Sequence, residues 1–243
     1  MQSRKVYVED LGRIGYAEAW DLQERMLKQN LEIKAEQHRN APGVDPATLP
    51  TRHHFLFCEH LPVYTLGKSG KMEHLLLSEA ELTERGYSFF PTNRGGDITY
   101  HGPGQIVGYP ILDLEKFRAD IGWYLRNLEE VIIRAIGDFG IVGARSQGET
   151  GVWIDPDQPG RERKICAMGV RCSRWITMHG FALNVNTELG DFDNIVPCGI
   201  RGKQVASMER EIGYALPLAE VKASILRHFG DVFEAEVLVT DGS

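Results

Sequence analysis

Arg94-Gly95-Gly96-Asp97-Ile98-Thr99-Tyr100-His101-Gly102-Pro103-Gly104-Gln105 carries four glycines and a proline in twelve positions. Each glycine costs backbone entropy and packs no side chain, so a core strand would not hold so many. The chain turns apolar directly afterwards, in Ile106-Val107-Gly108-Tyr109-Pro110-Ile111-Leu112. The stretch therefore reads as a glycine-rich turn feeding a buried strand. Such a turn lets a ligand approach backbone N–H groups, with Arg94 and His101 framing it. An irregular hairpin with no ligand is the alternative. The spacing Gly102-x-Gly104-x-x-x-Gly108 is not a dinucleotide fingerprint, because strand rather than helix follows it.

Outward from this stretch the pattern is mixed. Arg4 to Glu9 alternates as a first strand, and Gly15 to about Gln37 carries an apolar stripe at helical spacing. Arg39 to Pro50, with three prolines, reads as an exposed loop. His53 to Cys58, Val63 to Leu66 and Tyr87 to Phe90 are short strands, with a short helix or pair of turns over Glu73 to Arg85. Asp120 suits the N-cap of a long core helix, and Gly140 suits the position just past its end. Gly151 to Ile154 and Lys164 to Val170 form a hairpin around Asp155-Pro156-Asp157-Gln158-Pro159-Gly160. Trp175 to Asn186 continues as sheet, and Leu216 to Phe229 is a final amphipathic helix. No βαβ rhythm is visible, which predicts an α+β fold of mixed sheets packed with helices. With no repeat and no long linker, one domain over residues 1–243 is expected.

Composition excludes several function classes. No apolar run is long enough to span a bilayer, and the N-terminus has no signal-peptide core. Four cysteines without a CxxC pair predict free thiols and a cytoplasmic location. A net charge of −7 argues against broad nucleic-acid binding. Cys58-Glu59-His60 offers metal-binding side chains, but a strand and its turn place them poorly for one tetrahedral ion, so no metal is expected.

The candidate chemistry centres on cysteine. In Ile195-Val196-Pro197-Cys198-Gly199-Ile200 the proline disfavours helix and the glycine leaves room beside the sulfur. A small buried hydrophobe is the competing reading for any free cysteine. A nucleophilic thiolate needs a base or a cation beside it. His101, His179 and Lys164 are the candidates, and spacing does not choose among them. Cys58 and Cys166 sit within apolar strands and read as structural.

Four motifs in order resemble one family, the octanoyltransferases of lipoate biosynthesis (the LipB family). They are the stretch from Arg94 to Gln105, Lys164-Ile165-Cys166-Ala167-Met168-Gly169-Val170-Arg171, Met178-His179-Gly180-Phe181-Ala182-Leu183-Asn184-Val185-Asn186, and Pro197-Cys198-Gly199. The resemblance runs from about Glu59 to about Arg210. It implies the α+β fold shared with biotin and lipoate protein ligases. It also implies transfer of an octanoyl group from octanoyl-acyl carrier protein to a lysine of lipoyl domains. The acceptors so implied are the lipoyl domains of 2-oxoacid dehydrogenases and the glycine cleavage H protein. Cys198 would be the acylated nucleophile and Lys164 its proton partner. Arg94, Gly95, Gly96, Asp97, Ile98, Thr99, Tyr100 and His101 would line the acyl site. Ala167, Met168, Gly169, Gly180, Phe181 and Ala182 would complete it. A thioester is already activated, so the resemblance implies no ATP, no cofactor, no nucleic acid and no membrane. An ATP-dependent ligase on the same fold needs no nucleophilic cysteine, and a carrier-binding module needs no chemistry at all. Both remain as alternatives. Lys68, Lys71, Arg171, Arg174, Arg201 and Lys203 are expected to include cations that rim the site for acidic partners.

Overall fold

The computed structural model describes residues 4–40, 43–196 and 204–240. The first strand β1 (Lys5–Ile14), the helix α1 (Tyr16–Asn40) and β2 (His53–His60) open the chain. β1 and β2 are parallel, with Val6 opposite His53 and Val8 opposite Phe55. The chain thus begins with a βαβ unit that the sequence reading did not contain. The helical stripe of α1 was legible, but the partner of β1 was not.

A small sheet follows. It comprises β3 (Val63–Leu66), β4 (Ser88–Pro91) and β5 (Ile98–His101) in the order β4-β3-β5. Between β3 and β4 runs α2 (Glu79–Arg85), capped reciprocally by Ser78 and Glu81. The glycine-rich stretch is therefore not one turn. Its glycines flank a four-residue strand, and only residues 102–104 turn the chain into β6 (Gln105–Ile111).

The remaining elements build the large sheet and its cover. They are α3 (Ile121–Gly137), β7 (Val152–Ile154), β8 (Arg163–Ser173), β9 (Ile176–Asn184), β10 (Gln204–Val205), α4 (Met208–Ile212), α5 (Leu218–Phe233) and β11 (Glu236–Val239). Among the described residues the strand order is β10-β8-β9-β6-β2-β1-β11, with β7 added alongside β8. The inner pairs β2–β6, β6–β9 and β8–β9 are antiparallel. Asp120 accepts from Trp123 N at 2.9 Å, as expected of an N-cap. The helix ends earlier than predicted, at Gly137. Gly140 adopts its left-handed φ of +79° three residues later, where Ile141 N donates to Ile136 O at 3.2 Å.

Helices cover both faces of the large sheet. On one side Phe55, Phe57, Ile106 and Leu183 pack against Leu128 and Ile132 of α3 and Phe229 of α5, all at most 1 % exposed. On the other side Leu56, Cys58, Val107 and Met178 meet Ala19 and Leu27 of α1. Alternate residues of one strand thus enter different cores. This is why β6 and β9 are buried along their whole length. It also buries the polar Asn184, which is 4 % exposed and hydrogen-bonded inside. Truncating a ring such as Phe229 would cost about 3–5 kcal/mol. No helix of the described residues is long and apolar enough to cross a membrane.

Candidate functional site

A cavity of about 560 Å³ opens where β5 and the loop before it lie across β8 and β9. Gly169 permits that approach, and Gly180 lets β9 lie close against β6. A Cβ on Gly169 would stand 2.7 Å from Gly95 O and 3.2 Å from the Arg94 Cδ. A Cβ on Gly180 would stand 2.1 Å from Gly108 O on the neighbouring strand. Gly95 N then donates to Val170 O at 2.9 Å and fixes the loop against β8.

Arg94 anchors the loop from inside. Its Nη2 donates to Thr65 O at 2.7 Å and Thr65 Oγ1 at 2.9 Å, and its Nη1 to Gly95 O at 3.0 Å. Burial lowers its pKa from the ordinary value, opposed by Tyr16, Tyr109 and Asp97.

The two histidine candidates are committed elsewhere. Gln105 uses its amide N–H groups on Tyr100 O and Asn184 Oδ1, so its Oε1 accepts from His101 Nδ1 at 2.8 Å. The other ring nitrogen faces Thr65 Oγ1 at 3.4 Å. Burial and the neighbouring His60 hold His101 well below its usual pKa, so it is neutral near pH 7. His179 takes a left-handed φ of +61° within β9. Its backbone N–H leaves the sheet for Gln23 Oε1 at 3.0 Å, and its Nε2–H donates to Asn93 Oδ1 at 2.7 Å. Burial, with Arg94 and Arg171 adding to it, lowers its pKa to about 3. Neither imidazole is a ready proton acceptor or cation.

Lys164 is placed differently. Its side chain is 26 % exposed, and its Nζ lies 3.7 Å from Glu149 Oε2 and 4.5 Å from the centre of the Trp153 ring. Val205 pairs opposite Lys164 in parallel register.

The cavity wall brings together Lys164, Arg94, Gly95, Gly96, Asp97, Ile98, Thr99, His101, Ala167, Met168, Gly169, Gly180, Phe181 and Ala182. Tyr100 does not line it. Strand alternation sends its ring to the other face of β5, where it packs at 2 % exposure against Tyr64 and Phe192. Cys198 lies outside the described residues, as do Arg201 and Lys203. The chain is described on its two sides. Val196 N donates to His74 O at 2.9 Å beside the small sheet, and Ala206 N donates to Lys164 O at 2.9 Å in the large one. Burial pushes the thiols of Cys58 and Cys166 far up, so both stay protonated.

Sequence reasoning missed several wall residues, among them Tyr16, Gln105, Tyr109, Leu125, Glu149 and Asn184. Asn184 had a signal, since it interrupts the apolar run Phe181-Ala182-Leu183-Asn184-Val185. Glu149 had none, because it belongs to an irregular loop.

The chain falls into a known class. A family model described as the lipoyl protein ligase A/B catalytic domain matches residues 15–230, and the chain belongs to that family. Within it, the chain is 54 % identical to the octanoyltransferase of Christiangramia forsetii, covering 97 % of this chain and 98 % of the relative. It is 52 % identical to that of Flavobacterium johnsoniae, covering 97 % and 100 %. Among solved structures, a bi-partite lipoate protein ligase of Thermoplasma acidophilum superposes with a TM-score of 0.70. The sequence identity there is 13 %, over 100 % of this chain and 88 % of that one, a likeness of fold.

Proposed function

We propose that this protein is an acyltransferase of protein lipoylation that moves an octanoyl group from a carrier-protein thioester to a lysine of a lipoyl domain. Cys198 attacks the thioester carbonyl. The carbon–sulfur bond to the carrier breaks, and the leaving thiolate takes the Lys164 proton. The octanoyl group now rests on Cys198, and the target amine displaces it. The observation that carries this reading is the pairing of Gln204–Val205 with Arg163–Lys164. It returns the chain, six residues after Cys198, to the strand that bears the cavity's lysine.

The wall suits such a substrate. Met168, Phe181, Val107, Leu125 and Val205 supply apolar surface, and each buried methylene contributes roughly 0.8 kcal/mol. Backbone N–H groups of the glycine-rich loop are candidates for oxyanion donors, worth about 3–4 kcal/mol apiece. Lys164, rather than either histidine, supports the proton-transfer role, because its amine lies on the cavity wall while both imidazoles are committed to other partners.

The test is intact-protein mass after mixing with octanoyl-acyl carrier protein, without ATP. The expected result is a gain of one octanoyl group that the Cys198→Ser variant does not show as a thioester. A protein that stays unmodified, or that needs ATP to modify a lipoyl domain, rejects the reading.

A further inference from the structure

Lys164 shares its end of the cavity with a carboxylate carried by a loop that is held rigidly in place. Residues 144–151 are pinned at both ends. Ala144 and Trp153 exchange backbone hydrogen bonds at 2.8 and 2.9 Å. The fully buried Glu129 of α3 accepts from Arg145 Nε at 3.1 Å and from Gly151 N at 3.0 Å. Gly151, at φ +116°, lies so close to β8 that a Cβ there would stand 2.5 Å from Cys166 O. Between these anchors Glu149 faces the cavity, with its side chain 28 % exposed and Oε2 3.7 Å from the Lys164 ammonium nitrogen.

We propose that Glu149 is a positioning residue that sets the basicity of Lys164 in the second half of the transfer. The inference rests on the transferase reading above. In that half-reaction the target amine attacks the Cys198 thioester carbonyl. A carbon–nitrogen bond forms, the carbon–sulfur bond breaks, and Cys198 leaves as thiolate. The surplus proton of the amine passes to neutral Lys164, which becomes an ammonium ion. A carboxylate beside Lys164 favours that ammonium form. It strengthens the base, and it also raises the pH at which the base is free.

Among the described residues, the other groups near Lys164 are engaged differently. Trp153 of β7 pairs with Lys164 along the backbone and turns its ring face to the ammonium group. The Glu129 carboxylate is taken by Arg126, Arg145 and Gly151. Arg163 is held by Asp155 and Glu211, and Cys166 is a neutral buried thiol. Val205 of β10 and Asn184 of β9 are uncharged.

The experiment isolates the octanoyl-enzyme and follows single-turnover transfer to a lipoyl domain as a function of pH. Glu149→Gln is expected to lower the pH midpoint by about one unit and the high-pH plateau several-fold, with Glu149→Asp restoring part of both. The acceptor amine is common to all variants, so the difference between them reports Lys164. An unchanged midpoint overturns the proposal. So does a raised KM for the lipoyl domain with the midpoint intact, since that makes Glu149 a dock for the incoming ammonium ion. A wild-type protein that never forms octanoyl-enzyme overturns the transferase reading instead, and the two failures are thus distinct.

Discussion

Val205 lies opposite Lys164 in parallel register, and the next residue, Ala206, donates its N–H to the Lys164 carbonyl at 2.9 Å. The backbone of the lysine is thereby flanked on both sides of β8, by Val205 of β10 on one edge and by Trp153 of β7 on the other. Only its side chain is left to move, and that side chain enters the cavity. Lys164→Ala is expected to slow octanoyl-enzyme formation and to move its pH dependence upward, because the thiolate loses its cation. Lys164→Arg is expected to restore little, since guanidinium stays protonated at working pH. Stopped reactions analysed by mass across pH 6–9 check both. An arginine variant with full activity would reduce Lys164 to a fixed charge.

The contact of Gly169 with Gly95 yields a second expectation. Adding a methyl group at 2.7 Å from Gly95 O and 3.2 Å from Arg94 Cδ must push the glycine-rich loop off the sheet. Gly169→Ala should therefore lose most acyl transfer, on the order of 100-fold, as a displacement of about 1 Å at a site can do. The loop is peripheral to the packed cores, so thermal unfolding should fall by only a few degrees. Steady-state transfer and a melting curve, measured together, decide it. Wild-type turnover would show that the loop does not shape the acyl site.

Buried histidines make stability fall on the acid side. His53, His60 and His179 have pKa values lowered to about 3, about 4 and about 3, in each case chiefly by burial. Unfolded, each titrates near 6.5, so the unfolded chain binds protons first as pH drops. The sign is that of a depressed folded pKa: stability is present above pH 6.5 and is lost as pH falls toward 3–4. Each such histidine contributes a slope of up to about 1.4 kcal/mol per pH unit in that window. Urea unfolding at pH 7, 6 and 5 should show the decline, and His53→Gln should flatten it. His53 accepts from Asp113 N at 3.1 Å and lies away from the cavity, so activity at pH 7 is a useful control.

Much of this was legible because it is local. The spacing of Tyr124, Leu128, Val131, Ile132 and Ala135 gave α3, and Asp120 gave its start. The motifs of the family resemblance lie on short contiguous segments, and the residues it implied, except Tyr100 and Cys198, line one cavity. What was hidden depends on distant chain. The parallel pairing of β1 with β2 joins Val6 to His53 across a long helix, and nothing in either strand announces it. Tyr100 sits inside a motif, yet the pleat turns its ring away from the cavity. Glu149 reaches Lys164 only because Glu129, far off in sequence, ties down the loop between them.

The last prediction concerns docking. The chain carries a net charge of −7, and acyl carrier proteins and lipoyl domains are acidic as families, so long-range repulsion must be offset locally. Arg171 Nη1 is held at 2.7 Å by Glu24, and Arg174 lies past the end of β8, four residues beyond Val170 of the cavity wall. Lys68 and Lys71 adjoin the glycine-rich loop itself. Both are exposed, and Lys68 N donates to Arg94 O at 3.0 Å, which puts this turn directly on the loop that walls the cavity. Lys71 shares its charge with Glu73 at 3.4 Å, an exposed pair that screens it only partly. Reversing both lysines to glutamate should raise KM for octanoyl-acyl carrier protein several-fold while sparing a small octanoyl thioester. The difference between wild type and variant should shrink as salt rises, because screening weakens attraction and repulsion alike. Equal losses on both donors would place these lysines in the acyl site and remove the docking role.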